Sequence, residues 1–245
     1  MKILICGKGG TGKSTLTALL ARELAGRHRP VLVVDSDESN FGLPALLGME
    51  KPRDFMEYFG GRKLLFERVK TLERGLKAAE LPSEYVAEKN GVRLLAVGKI
   101  YDFGEGCACP INALAAKFLE KVELGRGEIL IADTDAGVEH LGRGVERGCD
   151  LLLVVVEPSR ESRELAARVA GMVRALGKEV FYILNRVDES ARTAALGSLP
   201  PDRLLACIPF DRRIFQAGLD GGELSIRLEE ISRIADFLGA RTAAP

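Results

Sequence analysis

Gly7-Lys8-Gly9-Gly10-Thr11-Gly12-Lys13-Ser14 follows the apolar run Ile3-Leu4-Ile5-Cys6 and leads into a stretch of helical period, Leu16–Leu24. Strand, glycine loop and helix in that order fit G-x-x-x-x-G-K-[ST] in the context the pattern needs. Glycines let backbone N–H groups converge on phosphate oxygens, and the helix that follows presents its positive end to them. Gly7, Gly9, Gly10, Thr11, Gly12 and Thr15 are thus expected to line a nucleotide's phosphates. Lys13 is expected to bridge the terminal phosphates, and the Ser14 hydroxyl to sit on Mg²⁺. Lys8 is not required by the generic pattern. A second lysine in the loop repels Lys13 unless an anion lies between them.

Outward from this loop, short runs rich in Val, Leu and Ile recur at Val31–Val34, Val92–Val97, Ile129–Ala132, Leu151–Val156, Val180–Leu184 and Leu204–Ile208. They lack polar alternation, as parallel strands covered on both faces do. Amphipathic stretches such as Leu165–Leu176 and Leu224–Leu238 lie between or after them. The alternation predicts an α/β fold: a doubly wound, mostly parallel sheet of about seven to eight strands with helices on both faces. No repeat or Pro/Ser linker divides the chain, so residues 1–245 are read as one domain. Leu43–Asn90 reads as helices laid over the sheet, and Gly98–Pro110 as an irregular loop.

Composition narrows the function classes. The 245 residues are 47 % apolar and 29 % charged, with 35 basic and 35 acidic side chains. A zero charge balance argues against holding nucleic-acid backbones or anionic lipid, and the absence of Trp against a base-stacking platform. Five cysteines, mostly single within apolar runs, suit a reducing cytoplasm. The chain runs from Met1 directly into a strand without signal-peptide architecture, and its apolar runs are too short to span a bilayer.

Two strand ends carry paired carboxylates: Asp35-Ser36-Asp37 and Asp133-Thr134-Asp135. Residues two apart in a strand point the same way, so each pair can aim at the crevice beyond the carboxyl edge of the sheet. Asp133 closes an apolar strand and is the natural outer anchor for Mg²⁺. One member of each pair can instead cap the helix that follows. Further along, Asn185-Arg186-Val187-Asp188 ends a strand, and its amide can hydrogen-bond a purine edge. The spacing from Asn185 to Asp188 also matches a guanine reader, so the residues leave base choice open. Pro209 and Phe210 follow the last strand.

Cys6, Cys149 and Cys207 read as small buried hydrophobes. Cys107 and Cys109 lie in a glycine-rich loop instead. Their spacing lets both sulfurs face one metal ion, and two thiolates leave a tetrahedral ion half satisfied. His28 and His140 are not obviously available, so the missing ligands come most simply from the same loop of a second chain.

Lys8–Ser14, as K-G-G-x-G-K-S, resembles the deviant phosphate-loop ATPases, which include MinD, ParA and the nitrogenase iron protein. That resemblance implies that Lys8 reaches across a nucleotide-sandwich dimer to the partner's phosphates. It also implies that Asp37 orients the attacking water and stands near the metal, that Asn185 contacts adenine, and that Ile208-Pro209-Phe210 lies beside the base. Gly137 would begin a second switch loop. Cys107-Ala108-Cys109, Asp133–Leu141, Val156-Glu157-Pro158 and Ile208-Pro209-Phe210, in that order, narrow the resemblance to CooC-type ATPases. The departures are the first switch, where Glu38 replaces a common proline, and Asp188. The resemblance implies an ATP- and Mg²⁺-dependent homodimer that binds Zn²⁺ or Ni²⁺ across its interface and serves a carbon monoxide dehydrogenase-type client enzyme. A membrane- or DNA-binding positioning switch and an iron–sulfur redox ATPase are the alternatives. The mixed charges of Glu223–Leu238 argue against the first of these.

Overall fold

Side chains of one strand alternate between the two faces of a sheet, and the core divides along that alternation. Leu4, Cys6, Leu32 and Val34 enter one buried cluster, while Ile3, Ile5, Val31 and Val33 enter the other. The computed structural model describes residues 1–102, 107–135, 144–196 and 199–242. Its strands are β1 (Lys2–Gly7), β2 (Val31–Asp35), β3 (Leu76–Lys77), β4 (Val86–Lys89), β5 (Val92–Ala96), β6 (Val122–Glu123), β7 (Ile129–Asp133), β8 (Leu151–Val156), β9 (Glu179–Asn185) and β10 (Leu204–Ile208). The helices are α1 (Lys13–Gly26), α2 (Leu43–Leu46), α3 (Leu65–Arg68), α4 (Cys109–Lys121), α5 (Arg160–Arg174), α6 (Glu189–Leu196), α7 (Arg212–Asp220) and α8 (Glu229–Thr242).

Eight strands form one sheet in the order β10-β9-β8-β1-β7-β2-β5-β4, parallel except for β4, which runs antiparallel to β5 at the edge. This is the doubly wound α/β fold expected from the apolar runs. Leu16, Leu20 and Leu24 of α1 and Ile231, Ile234 and Leu238 of α8 cover one face; Ile111, Leu114 and Phe118 of α4 and Leu165, Val169 and Val173 of α5 cover the other. The apolar stripe of α8 is therefore spent in the core, as the mixed charges of that segment suggest. Among the described residues no helix is long and apolar enough to cross a membrane.

Two expectations need correction. The segment 43–90 is not a stack of helices. It holds short helical turns, the two-residue strand β3 paired with β6, and the edge strand β4. Asn90 and Gly91 both take positive φ (51° and 78°), the geometry of a two-residue hairpin turn joining Lys89 to its partner Val92. The irregular loop after β5 also ends earlier than expected, because Cys109 and Pro110 already lie in the first turn of α4. A proline there loses no helical hydrogen bond.

Candidate nucleotide site and exposed cysteine pair

The strand ends of β1, β2, β5, β7, β8, β9 and β10 all open on the same carboxyl edge, and that edge collects the chemistry. The loop after β1 demands glycine at its start. Gly7 has φ +148°, and a Cβ there would meet the Val155 carbonyl oxygen at 2.4 Å. Gly12 has φ +95°, and its Cβ would fall 2.5 Å from Asn185 Nδ2. The same Asn185 amide donates to the Thr11 carbonyl at 2.7 Å, and Arg186 donates to that of Gly10 at 2.9 Å. The end of β9 thus braces the phosphate loop from the side.

Two clefts meet along this loop. One, about 440 Å³, is lined by Gly9, Lys13, Ser14, Asp37, Asn40 and Asp135. The other, about 240 Å³ and more apolar, is lined by Leu16, Asn185, Pro209, Phe210, Phe215 and Leu219. Gly12, Thr15 and Arg186 wall both. A polar trough continuing into an apolar slot matches a nucleotide's phosphates and base in dimensions and chemistry. Asp188 does not line the slot, and its Oδ1 accepts from the Ser190 hydroxyl at 2.8 Å.

Lys8 takes a different place from Lys13. Its ammonium lies 2.8 Å from Glu161 and 3.4 Å from Glu157 of its own chain. Glu161 stands in the first turn of α5, whose N-cap Ser159 accepts from the Ser162 N–H. The repulsion expected between the loop's lysines is therefore relieved by glutamates. Among the described residues, Lys13, 7 % exposed, hydrogen-bonds the Lys8 carbonyl at 3.4 Å.

The carboxylates divide by partner. Asp133 is fully buried, with the Thr17 hydroxyl 3.2 Å from Oδ1 and, among the described residues, no hydrogen bond to Oδ2. Burial pushes its carboxyl up to about 7; the nearby Ser14 hydroxyl opposes the rise without satisfying Oδ2, and the Asp35 charge adds to it. A buried carboxylate oxygen with no donor among the described residues, near the Ser14 hydroxyl, suits the outer anchor of a divalent cation. Asp37 folds back on its own turn: Oδ1 accepts from the Ser39 N–H at 3.0 Å, the Ser39 hydroxyl at 2.7 Å and the Asn40 N–H at 3.1 Å.

Asp35 is not a cleft residue. Its Oδ2 pairs at 2.7 Å with the ammonium of Lys99, and both side chains are essentially inaccessible. Burial pushes Asp35 up to about 6, against the pull of Lys99. Removing one partner of such a pair costs about 3–5 kcal/mol. Sequence reasoning missed Lys99, although a lysine two residues after the apolar run ending at Val97 sits at the ligand-binding edge. Asn40 was missed as well.

Cys107 and Cys109 are both exposed, the second at the start of α4. Among the described residues no group of three or more His, Cys, Asp or Glu side chains is placed to hold a metal, so one chain's described residues do not complete a site around the pair. Burial pushes the thiols of Cys6 and Cys149 up to about 12, which leaves them inert. Gly137 and His140 of the expected second switch lie outside the described residues.

A glycine loop between β1 and α1, carboxylates on neighbouring strand ends and an adjoining base-sized slot define a P-loop nucleotide-binding fold. Residues 2–224 match the CobQ/CobB/MinD/ParA nucleotide binding domain, and the chain belongs to that family. It is 45 % identical to an uncharacterized ATP-binding protein of Methanocaldococcus jannaschii, over 97 % of this chain and 99 % of that one. It is 33 % identical to the carbon monoxide dehydrogenase accessory protein CooC of Rhodospirillum rubrum, over 92 % and 90 %. Among solved structures, the septum site-determining protein MinD of Pyrococcus horikoshii, complexed with Mg-ADP, superimposes with a TM-score of 0.72. That match covers 100 % of this chain and 99 % of the other at 21 % identity.

Proposed function

We propose that this protein is a Mg²⁺-dependent ATPase that works as a homodimer and handles nickel for the maturation of a carbon monoxide dehydrogenase-type enzyme. The observation that carries the reading is the exposed Cys107/Cys109 pair on the sheet edge that also carries the phosphate loop. The likeness to CooC over nine-tenths of the chain supports the client class.

In this reading the backbone of Gly9–Lys13 and the Lys13 ammonium hold and neutralise the phosphates. Ser14, Asp37 and Asp133 would hold Mg²⁺, which when bound would supply charge neutralisation on the transferred phosphoryl group. Asp37 orients the attacking water, and Asn185, Pro209 and Phe210 seat the base; the absence of Asp188 from the slot favours adenine. Catalysis by such a site is positioning and electrostatics. Lys8, released from Glu157 and Glu161, reaches the partner's nucleotide. A four-sulfur metal site then forms from two copies of Cys107 and Cys109. Hydrolysis changes how the copies sit together and so holds or releases the ion.

Native mass spectrometry tests the metal claim. One Zn²⁺ or Ni²⁺ per dimer is expected, lost in Cys107→Ser/Cys109→Ser while ATP binding persists. One metal per monomer, or undiminished binding in the double variant, overturns the nickel assignment and leaves the ATPase reading standing.

A further inference from the structure

An ammonium has three N–H donors, and that of Lys99 uses each on one region. One goes to Asp35 Oδ2 at 2.7 Å; the others go to the main-chain carbonyls of Asp37 and Asn40. The side chain is wholly buried. Those carbonyls bracket the turn that Asp37 Oδ1 closes from inside, through the N–H groups of Ser39 and Asn40. The lysine's own backbone is fixed too: its N–H reaches Asp54 Oδ2 at 3.3 Å, and the next N–H, of Ile100, donates to the Glu38 carbonyl at 3.1 Å. Asp54 is itself buried and held by Lys51 at 2.6 Å and Tyr101 at 2.8 Å.

A counter-ion for Asp35 alone needs none of these carbonyl contacts. An ammonium tying both ends of one turn fixes the direction in which the enclosed carboxylate faces. We propose that Lys99 is a positioning residue for the cation–nucleotide site: it holds the Asp37–Asn40 turn so that Asp37 faces Ser14 and Asp133. The proposal rests on the nucleotide reading above for its consequence, not for the geometry of the turn.

Two readouts test it. Asp35→Asn/Lys99→Met removes both buried charges together and leaves neither unpaired. In chelator and without nucleotide, amide exchange at Ser39 and Asn40 is expected to rise about 10-fold or more, the loss of a charge-assisted hydrogen bond. Asp35→Asn alone keeps the ammonium on both carbonyls but leaves it without its counter-charge and lowers global stability. Exchange at Ser39 and Asn40 is therefore read relative to the slowest core amides, and that ratio is expected to stay within about 3-fold of wild type. In the second readout, binding of a non-hydrolysable ATP analogue is titrated with Mg²⁺. The double variant is expected to need about 10-fold more Mg²⁺ for half saturation, with Mg²⁺-free affinity little changed, because the phosphate loop is untouched. Should the double variant fail to fold, Lys99→Gln, too short to tie both carbonyls, is expected to give the same pair of shifts.

Exchange and Mg²⁺ midpoint both at wild-type values overturn the proposal. So does an equal rise in exchange for Asp35→Asn alone, which would make Lys99 a counter-ion only, or an equal loss of Mg²⁺-free binding, which would mean general damage. A wild-type protein whose nucleotide binding ignores Mg²⁺ would sink the ATPase reading instead. The exchange readout would still decide whether Lys99 holds the turn.

Discussion

The Asn40 side-chain amide donates to the Ser14 hydroxyl oxygen at 2.7 Å. That oxygen is the one a magnesium ion would take on the phosphate loop. The Asn40 amide therefore takes one of that oxygen's two lone pairs and would compete with a cation for it. Asn40→Ala is expected to lower the Mg²⁺ concentration for half-maximal nucleotide binding by about 3- to 10-fold, since one neutral hydrogen bond is worth about 1 kcal/mol. Calorimetric titration with Mg²⁺ and ADP reads this directly. A higher requirement would show that the amide helps rather than competes.

Lys13 and Asp37 separate binding from turnover. Lys13→Ala is expected to abolish ATP hydrolysis and weaken nucleotide binding, because it removes the charge at the terminal phosphates. Asp37→Asn is expected to bind ATP and hydrolyse it about 10²-fold or more slowly, the scale of a lost positioned base. Wild-type turnover by Asp37→Asn would remove the water-orienting role.

Asp133 makes the metal-free protein sensitive to pH. An unfolded aspartate titrates near about 3.9, whereas the buried one titrates at about 7. Between those values the folded chain holds a proton that the unfolded chain has released. Stability in chelator is expected to fall as pH rises from about 4 to 7, then to level off. Asp133→Asn is expected to flatten much of that slope, the remainder coming from Asp35, and to raise stability at pH 8 by about 1–3 kcal/mol. The ranking should invert with Mg²⁺ and nucleotide present. Thermal melts across pH check both halves, and an unchanged slope would mean that Asp133 titrates normally.

Lys8 is held by glutamates on its own chain, one of them 77 % exposed. Glu161→Gln is expected to promote nucleotide-driven dimerisation modestly, by about two- to three-fold in concentration, as befits an exposed ion pair. Moderate salt should act in the same direction. Lys8→Ala should bind ATP and stay monomeric. Sedimentation with a non-hydrolysable analogue compares the three, and normal dimerisation of Lys8→Ala would reduce that lysine to a surface charge.

The central strands were legible because burial on both faces forces short continuous runs of Val, Leu and Ile. The phosphate loop was legible because close backbone approach admits only glycine at Gly7 and Gly12. The edge strand β4 was not, since Val86-Ala87-Glu88-Lys89 has one solvated face and little apolar content. Its turn, Asn90-Gly91, carried the signal instead. Lys99 was hidden for a different reason. A lone lysine reads as solvated, and only the meeting of β2 and β5 at Asp35 and Ala96 encloses it. Asn40 gave no sign because its partner, Ser14, is 26 residues away.

The contact of Asn185 with the phosphate loop has a consequence for how this site can change. The amide that faces the base slot also holds the Thr11 carbonyl and fills the space where residue 12 would need a side chain. On the proposed reading of Asn185 as a base contact, selectivity among purines and grip on phosphate are one trait. A substitution at 185 that favours another base would also loosen the loop beside Lys13, so the protein would have to lose affinity before it could gain a new preference. The barrier to drifting from one nucleotide to another is built into a single side chain's double duty.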